Sequence, residues 1–202
     1  RLGEEAGGVA VLFYGSNLRT GSLEGVLDFY VLLPGPQRER IWPRVGYREW
    51  DHSGIRLRAK IATMSLAQFA RAASGQSRDT TIWARFVQPS ALVWGRGGES
   101  RTQVLEALCA SATTAGRLAA AVGPASGTPD DYWRALFRAT YKAEFRVEKP
   151  GREDAILDVN ADHFEGLLSL AWEAADIDFE HSDGTLTPTL SEAERRRILN
   201  WW

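Results

Sequence analysis

Two apolar runs, VAVLFY at 9–14 and VLDFYVLL at 26–33, flank a polar stretch rich in glycine, serine and threonine, and this arrangement constrains the fold more than any other part of the chain. Runs of this length, closed by Gly15-Ser16 and by Pro34-Gly35-Pro36, are strand signals, so the N-terminal part must build a sheet. Residues 54–65 alternate Ile55, Leu57, Ala59 and Ile61 with Arg56, Arg58 and Lys60, the period of a strand with one wet, basic face. SLAQFARAAS (65–74) predicts a helix with Ser65 as N-cap, and ALVWGRGG (91–98) a short strand ending in a glycine turn. Beyond Glu99 the text becomes Ala-rich and helical. It covers 102–122 and then 128–146, where Thr128 followed by Pro129, Asp130 and Asp131 forms a helix start. A break near 97–101 predicts an α+β domain at 1–98 and a mainly helical domain at 99–202, which 202 residues are enough to build.

Charge and cysteine content narrow the function. The net charge of −2 hides a basic 38–60 segment, with Arg38, Arg40, Arg44, Arg48, Arg56, Arg58 and Lys60, and an acidic 176–183 segment. A local basic face suits phosphates, but duplex-binding domains are more basic overall, so no nucleic-acid partner is expected. Cys109 is the only cysteine; internal disulfides are excluded, a reducing compartment fits, and its Ala/Leu-rich setting predicts a small buried hydrophobe. Neither His52 nor His163 stands at zinc-site spacing from Cys109. No apolar stretch approaches the roughly 20 residues that span a bilayer, and RLGEEAGG at the start is unlike a signal peptide. The expected location is cytoplasmic, or peripheral on the inner face of a membrane.

The chemistry begins at the first turn. A strand ending in Gly15-Ser16 lets backbone N–H groups and a hydroxyl approach a phosphate closely, because glycine has no Cβ in the way. Asp28, on the next strand, could hold a divalent cation bridging that phosphate, since Mg²⁺ favours carboxylate, water and phosphate oxygens. The plainer alternative is a tight turn and a strand-end acid.

The spacing resembles the nucleotidyltransferase superfamily related to DNA polymerase β, which pairs hydrophobic-Gly-Ser with Asp-x-Asp or Asp-x-Glu on the following strand. Here Tyr30 occupies the second acidic place. Tyr14-Gly15-Ser16 with Asp28-Phe29-Tyr30 is more particularly similar to the mitochondrial-type phosphatidate cytidylyltransferases, the translocator assembly and maintenance family. That family's Lys-led strand ending in Ser resembles KIATMS (60–65), and its Gly-Arg-x-x-x-Pro segment resembles ARFVQP (84–89), with Ala84 for glycine. Its Tyr-x-Gly-Asp-Phe-Arg resembles YKAEFR (141–146), with Ala143 for glycine and Glu144 for aspartate. The family's Asn/His-rich insert is here VGYREWDHSG (45–54), with His52 alone.

The resemblance implies a nucleotidyltransferase (polymerase β-like) core followed by a helical, winged-helix-like domain. It implies CTP and phosphatidic acid as substrates, CDP-diacylglycerol and pyrophosphate as products, Mg²⁺ as the cofactor and an anionic membrane surface as the workplace. Asp28 and Lys60 would be catalytic. Gly15, Ser16, Lys60, Arg85, Tyr141 and Arg146 would bind nucleotide, and Asp28 and Glu144 the metal. Two other readings fit these residues: a nucleotidyltransferase with a protein, RNA or small-molecule acceptor, and a non-catalytic nucleotide-binding module.

Overall fold

The two apolar runs form adjacent strands of one sheet. The computed structural model describes residues 1–77, 79–143 and 152–201. In chain order the elements are α1 (Leu2–Glu5), β1 (Ala10–Tyr14), α2 (Ser16–Thr20), β2 (Leu27–Leu33), β3 (Arg44–His52), β4 (Ile55–Ser65), α3 (Leu66–Ala73), α4 (Thr81–Phe86), β5 (Ser90–Gly95), α5 (Gly98–Val122), α6 (Pro129–Ala143), α7 (Arg152–Val159), α8 (Ala161–Phe164), α9 (Leu167–Ala174), β6 (Phe179–Ser182), β7 (Thr185–Pro188) and α10 (Glu192–Trp201). The chain divides into one unit of Arg1–Ala72 with Pro89–Leu108, and another of Ala73–Gln88 with Cys109–Trp202. Each unit is therefore assembled from two separate stretches of chain.

The first unit is built on a five-stranded mixed sheet of order β3-β4-β2-β1-β5, in which β2 and β4 run parallel and the other neighbours antiparallel. This is α+β architecture. β1 and β2 are buried through their middles, with Ala10, Leu12, Val31 and Leu32 fully enclosed, because central strands are covered on both faces. Tyr30 packs under α3, its ring 6.3 Å from that of Phe69. On the other face Phe13 stacks on Phe29 at 5.0 Å, beside the small cluster of Leu27, Leu57 and Ala59. Ser65 begins α3 as expected, its Oγ accepting the Gln68 N–H at 3.1 Å.

The second unit buries Trp83, Trp133 and Trp172 with Leu136, Phe137, Phe164 and Leu168 in one core. Trp172 donates to the Gly116 carbonyl at 2.8 Å and Tyr132 to that of Leu186 at 2.8 Å, so both rings are buried with their polar ends satisfied. α6 opens on a reciprocal box: Thr128 N–H donates to Asp131 at 2.9 Å, and Asp131 N–H to the Thr128 hydroxyl at 3.3 Å. The unit is not wholly helical, since β6 and β7 form an antiparallel hairpin.

Residues 45–54, likened to the family's insert, fall in strand β3 and the turn that follows it. One local expectation needs correction. Cys109 is exposed: the buried stripe of α5 runs through Val104, Ala107, Ser111, Ala115 and Leu118, and helical spacing turns residue 109 away from it.

Candidate functional site

β1 delivers the chain to Gly15, whose backbone (φ 90°, ψ −168°) lies in a region essentially reserved for glycine. A side chain there would also collide with the next strand, because a Cβ at Gly15 would stand 2.9 Å from Oδ2 of Asp28. The turn and the carboxylate therefore touch. Ser16 follows as the exposed first residue of α2, a helix whose N-cap, Gly15, has no side chain to offer its first turn.

A residue outside the expected set organises this corner. Asn17 is buried, and its amide donates to the carbonyls of Ser22 at 2.9 Å and Glu24 at 2.7 Å. Those two bonds tie α2 to the loop that feeds β2, and so fix where Asp28 enters the sheet.

Register completes the arrangement. Tyr14 pairs with Asp28, Asp28 with Lys60, and Lys60 with Tyr47, so the four form one row across β1, β2, β4 and β3. Directly paired residues project to the same face, which puts the half-buried Asp28 and Lys60 side by side. Two residues further along β2, Tyr30 is buried with its ring 5.4 Å from that of Tyr14. The position to which the resemblance would assign a second carboxylate is thus a core aromatic.

The sheet brings together Gly15, Ser16, Asp28 and Lys60. Arg85 is half-buried on helix α4, among the core residues Trp83, Ala84 and Phe86 of the second unit, not on a strand. Tyr141, also in the second unit, is partly buried against that core near the end of α6. Glu144 and Arg146 lie outside the described residues. Among the described residues no group of three or more His, Cys, Asp or Glu is placed to hold a metal ion. Asp28 is the carboxylate of this corner that could serve as a ligand to Mg²⁺, which takes one or two protein carboxylates and fills the rest of its shell with other oxygens. A cavity of about 420 Å³ elsewhere in the first unit is lined by Leu2, Glu5, Leu33, Arg44, Arg48 and Thr63 among others, and contains none of the four site residues.

No protein-family model matches this chain, and no curated protein matches it. Among the described residues, no helix is long and apolar enough to cross a membrane.

Proposed function

We propose that the chain is a nucleotidyltransferase of the polymerase β-like class that transfers a cytidylyl group from CTP to phosphatidic acid, giving CDP-diacylglycerol and pyrophosphate. The observation that carries the reading is the contact between Gly15 and the Asp28 carboxylate, with Lys60 paired beside Asp28. A glycine-serine turn, an acid and a base-row cation at one corner are what a metal-bound triphosphate needs.

In this reading the Gly15-Ser16 backbone and hydroxyl orient the triphosphate. Asp28 would hold Mg²⁺, which supplies charge neutralisation on the phosphates when bound. Lys60 offsets the negative charge that builds as pyrophosphate departs. An oxygen of the acceptor's phosphate monoester forms a bond to the α-phosphorus of CTP, the bond from that phosphorus to the α–β bridging oxygen breaks, and the electron pair leaves with pyrophosphate. The acceptor is already anionic, so no strong general base is required, and the work left to the protein is alignment and charge stabilisation. The family resemblance adds Arg85, Tyr141 and Arg146 as nucleotide contacts and Glu144 as a metal ligand, and it is the source of the choice of CTP and of a lipid phosphate.

An anionic membrane surface is the proposed workplace. β3 alternation puts Arg44, Arg48 and Trp50 on one face, a mix of charge and amphipathic ring suited to lipid headgroups. Buried Tyr30 favours a second reading, a nucleotide-binding module without turnover. Pyrophosphate release measured with each nucleotide, with and without phosphatidic acid, separates the readings. Mg²⁺-dependent release from CTP that requires phosphatidic acid is expected. Release with another acceptor only would leave the broader transferase, and binding without release would leave the module.

A further inference from the structure

We propose that β3 is a self-pairing edge, through which two copies of this chain join antiparallel about Tyr47 into one continuous sheet. The inference does not depend on the nucleotidyltransferase reading.

The two ends of the five-stranded sheet differ. β5 is half-buried at five of its six positions, and its pairing with β1 shifts register at Val11/Leu12. β3 has all nine residues exposed and pairs with β4 without interruption from Arg44–Thr63 to His52–Ile55. An open edge presents a row of unpaired N–H and C=O groups, and proteins that keep such an edge single shorten it, bulge it, place proline in it or charge it. β3 is long and regular and has no proline within it, and its four charges, Arg44, Arg48, Glu49 and Asp51, are two of each sign, so they repel a second copy only in some registers. It also exposes Val45 (49%), Tyr47 (72%) and Trp50 (39%).

The charges on β3 select one pairing. A twofold axis perpendicular to the sheet keeps like faces together only when it passes through a residue, since a one-residue slip would turn every side chain to the other face. An axis at Gly46 sets Arg44 opposite Arg48, one at Arg48 sets that residue against itself, and one at Glu49 does the same with two carboxylates. An axis at Trp50 sets Glu49 opposite Asp51. Like charges directly opposite are destabilising. Axes nearer either end pair only three strand residues, 44–46 or 50–52.

The axis at Tyr47 avoids every such clash and pairs residues 44–50 with their symmetry mates. Tyr47 faces Tyr47, and Arg44 faces Trp50 twice, a cation over an indole. Val45 faces Glu49, whose carboxylate is already held by Arg56 at 2.8 Å. Arg48, held by Glu5 at 2.6 Å, faces Gly46, where a side chain would meet open space. The exposed apolar groups are covered, Arg48 and Glu49 keep their ion pairs, and Arg44 exchanges an exposed contact with Glu39 at 3.9 Å for the indole.

Sedimentation of the full chain over a concentration series tests the pairing, with a reversible dimer expected. Tyr47→Lys, which opposes two ammonium groups, should weaken dimerisation at least tenfold with an unchanged far-UV spectrum, while Tyr47→Phe keeps the dimer. In a Cys109→Ser background, which removes the exposed native thiol, oxidation should link Tyr47→Cys to itself and leave Arg48→Cys unlinked. A mixture of Gly46→Cys and Arg48→Cys chains should cross-link to each other. A wild-type chain that is monomeric at its highest soluble concentration overturns the proposal, whether or not the same strand binds vesicles or another protein. A dimer indifferent to Tyr47→Lys, or Arg48→Cys linking as readily as Tyr47→Cys, overturns it equally.

Discussion

Replacing Gly15 with alanine tests the corner on which the functional reading rests. Two costs add. At φ 90°, ψ −168° a residue with a Cβ is strained by about 1–3 kcal/mol. The new methyl would also lie 2.9 Å from Asp28 Oδ2, so the carboxylate must rotate off its position, at about 0.5–1.5 kcal/mol for a displaced rotamer. Together they predict a loss of about 1.5–4.5 kcal/mol, most of it from the backbone. Because the chain has two units, hydrogen exchange of the β1 and β2 amides is the suitable measure, since it reports the first unit alone. The loss corresponds to roughly 10- to 1,600-fold faster exchange at tenfold per 1.4 kcal/mol. In an Asp28→Ala background the clashing oxygen is gone and the nearest remaining contact is the Cβ of residue 28 at 3.6 Å, an ordinary separation. The Gly15→Ala penalty should there fall by about 1 kcal/mol, the rotamer share. Exchange accelerated less than about threefold in the native background would refute the strain argument. An equal penalty in both backgrounds would refute the contact with Asp28.

Asp28→Asn keeps shape but removes the charge, and is expected to abolish Mg²⁺-dependent pyrophosphate release with an unchanged far-UV spectrum; near-native turnover would place the metal elsewhere. Asn17→Ala removes two donated bonds and should cost about 1–3 kcal/mol, seen as a lower midpoint in thermal melts. Asn17→Asp, which has no N–H to donate, should not restore it. The Asp131 carboxyl is held below its ordinary range, first by the Thr128 hydroxyl and then by the Thr128 backbone N–H. Its support of α6 is complete above the ordinary carboxylate pKa, near 4, and is lost as pH falls through the lower folded value. The cost of Asp131→Ala in urea unfolding should therefore be present at pH 7 and shrink below about pH 4; a cost that grows on acidification contradicts the sign. In the basic 38–60 segment the half-buried Trp42 stands two residues before Arg44, and flotation with phosphatidic-acid liposomes should be weakened by salt and by Trp42→Ala with Arg44→Ala; a chain left wholly in the soluble fraction at low salt removes the membrane reading.

What was legible in the sequence was local. β1, β2 and β4 announce themselves as apolar or alternating runs, and Ser65 and Thr128 cap helices within three residues of their partners. β3 was hidden because both of its faces are wet, which erases the alternation. Its signal lay in the turn: Ser53 (φ 50°) and Gly54 (φ 79°) form the two-residue, left-handed connection of a tight hairpin. The same chemistry at Asp183 (φ 48°) and Gly184 (φ 76°) marks the β6–β7 hairpin inside text that otherwise reads as helical. Within the site, the adjacency of Gly15 and Asp28 follows from a short connection between neighbouring strands. The placing of Lys60 beside Asp28 does not, because it depends on a parallel pairing reached only after the whole of β3 has been laid down outside β4. Asn17 gave no signal, since its partners are carbonyls of a loop whose path is set by the fold.

The interleaving of the two units also sets a timetable for synthesis. β1 finds its first neighbour at once in β2, but its other neighbour, β5, is separated from it by residues 15–89, most of one sheet and a segment that belongs to the other unit. At about 5–20 residues per second the ribosome takes about 4–15 s to cover that interval, and throughout it β1 is an unsheltered margin of the growing sheet. A chain released at residue 88 would carry two open margins, at β1 and β3, whereas one released beyond residue 95 carries β5 to close the first.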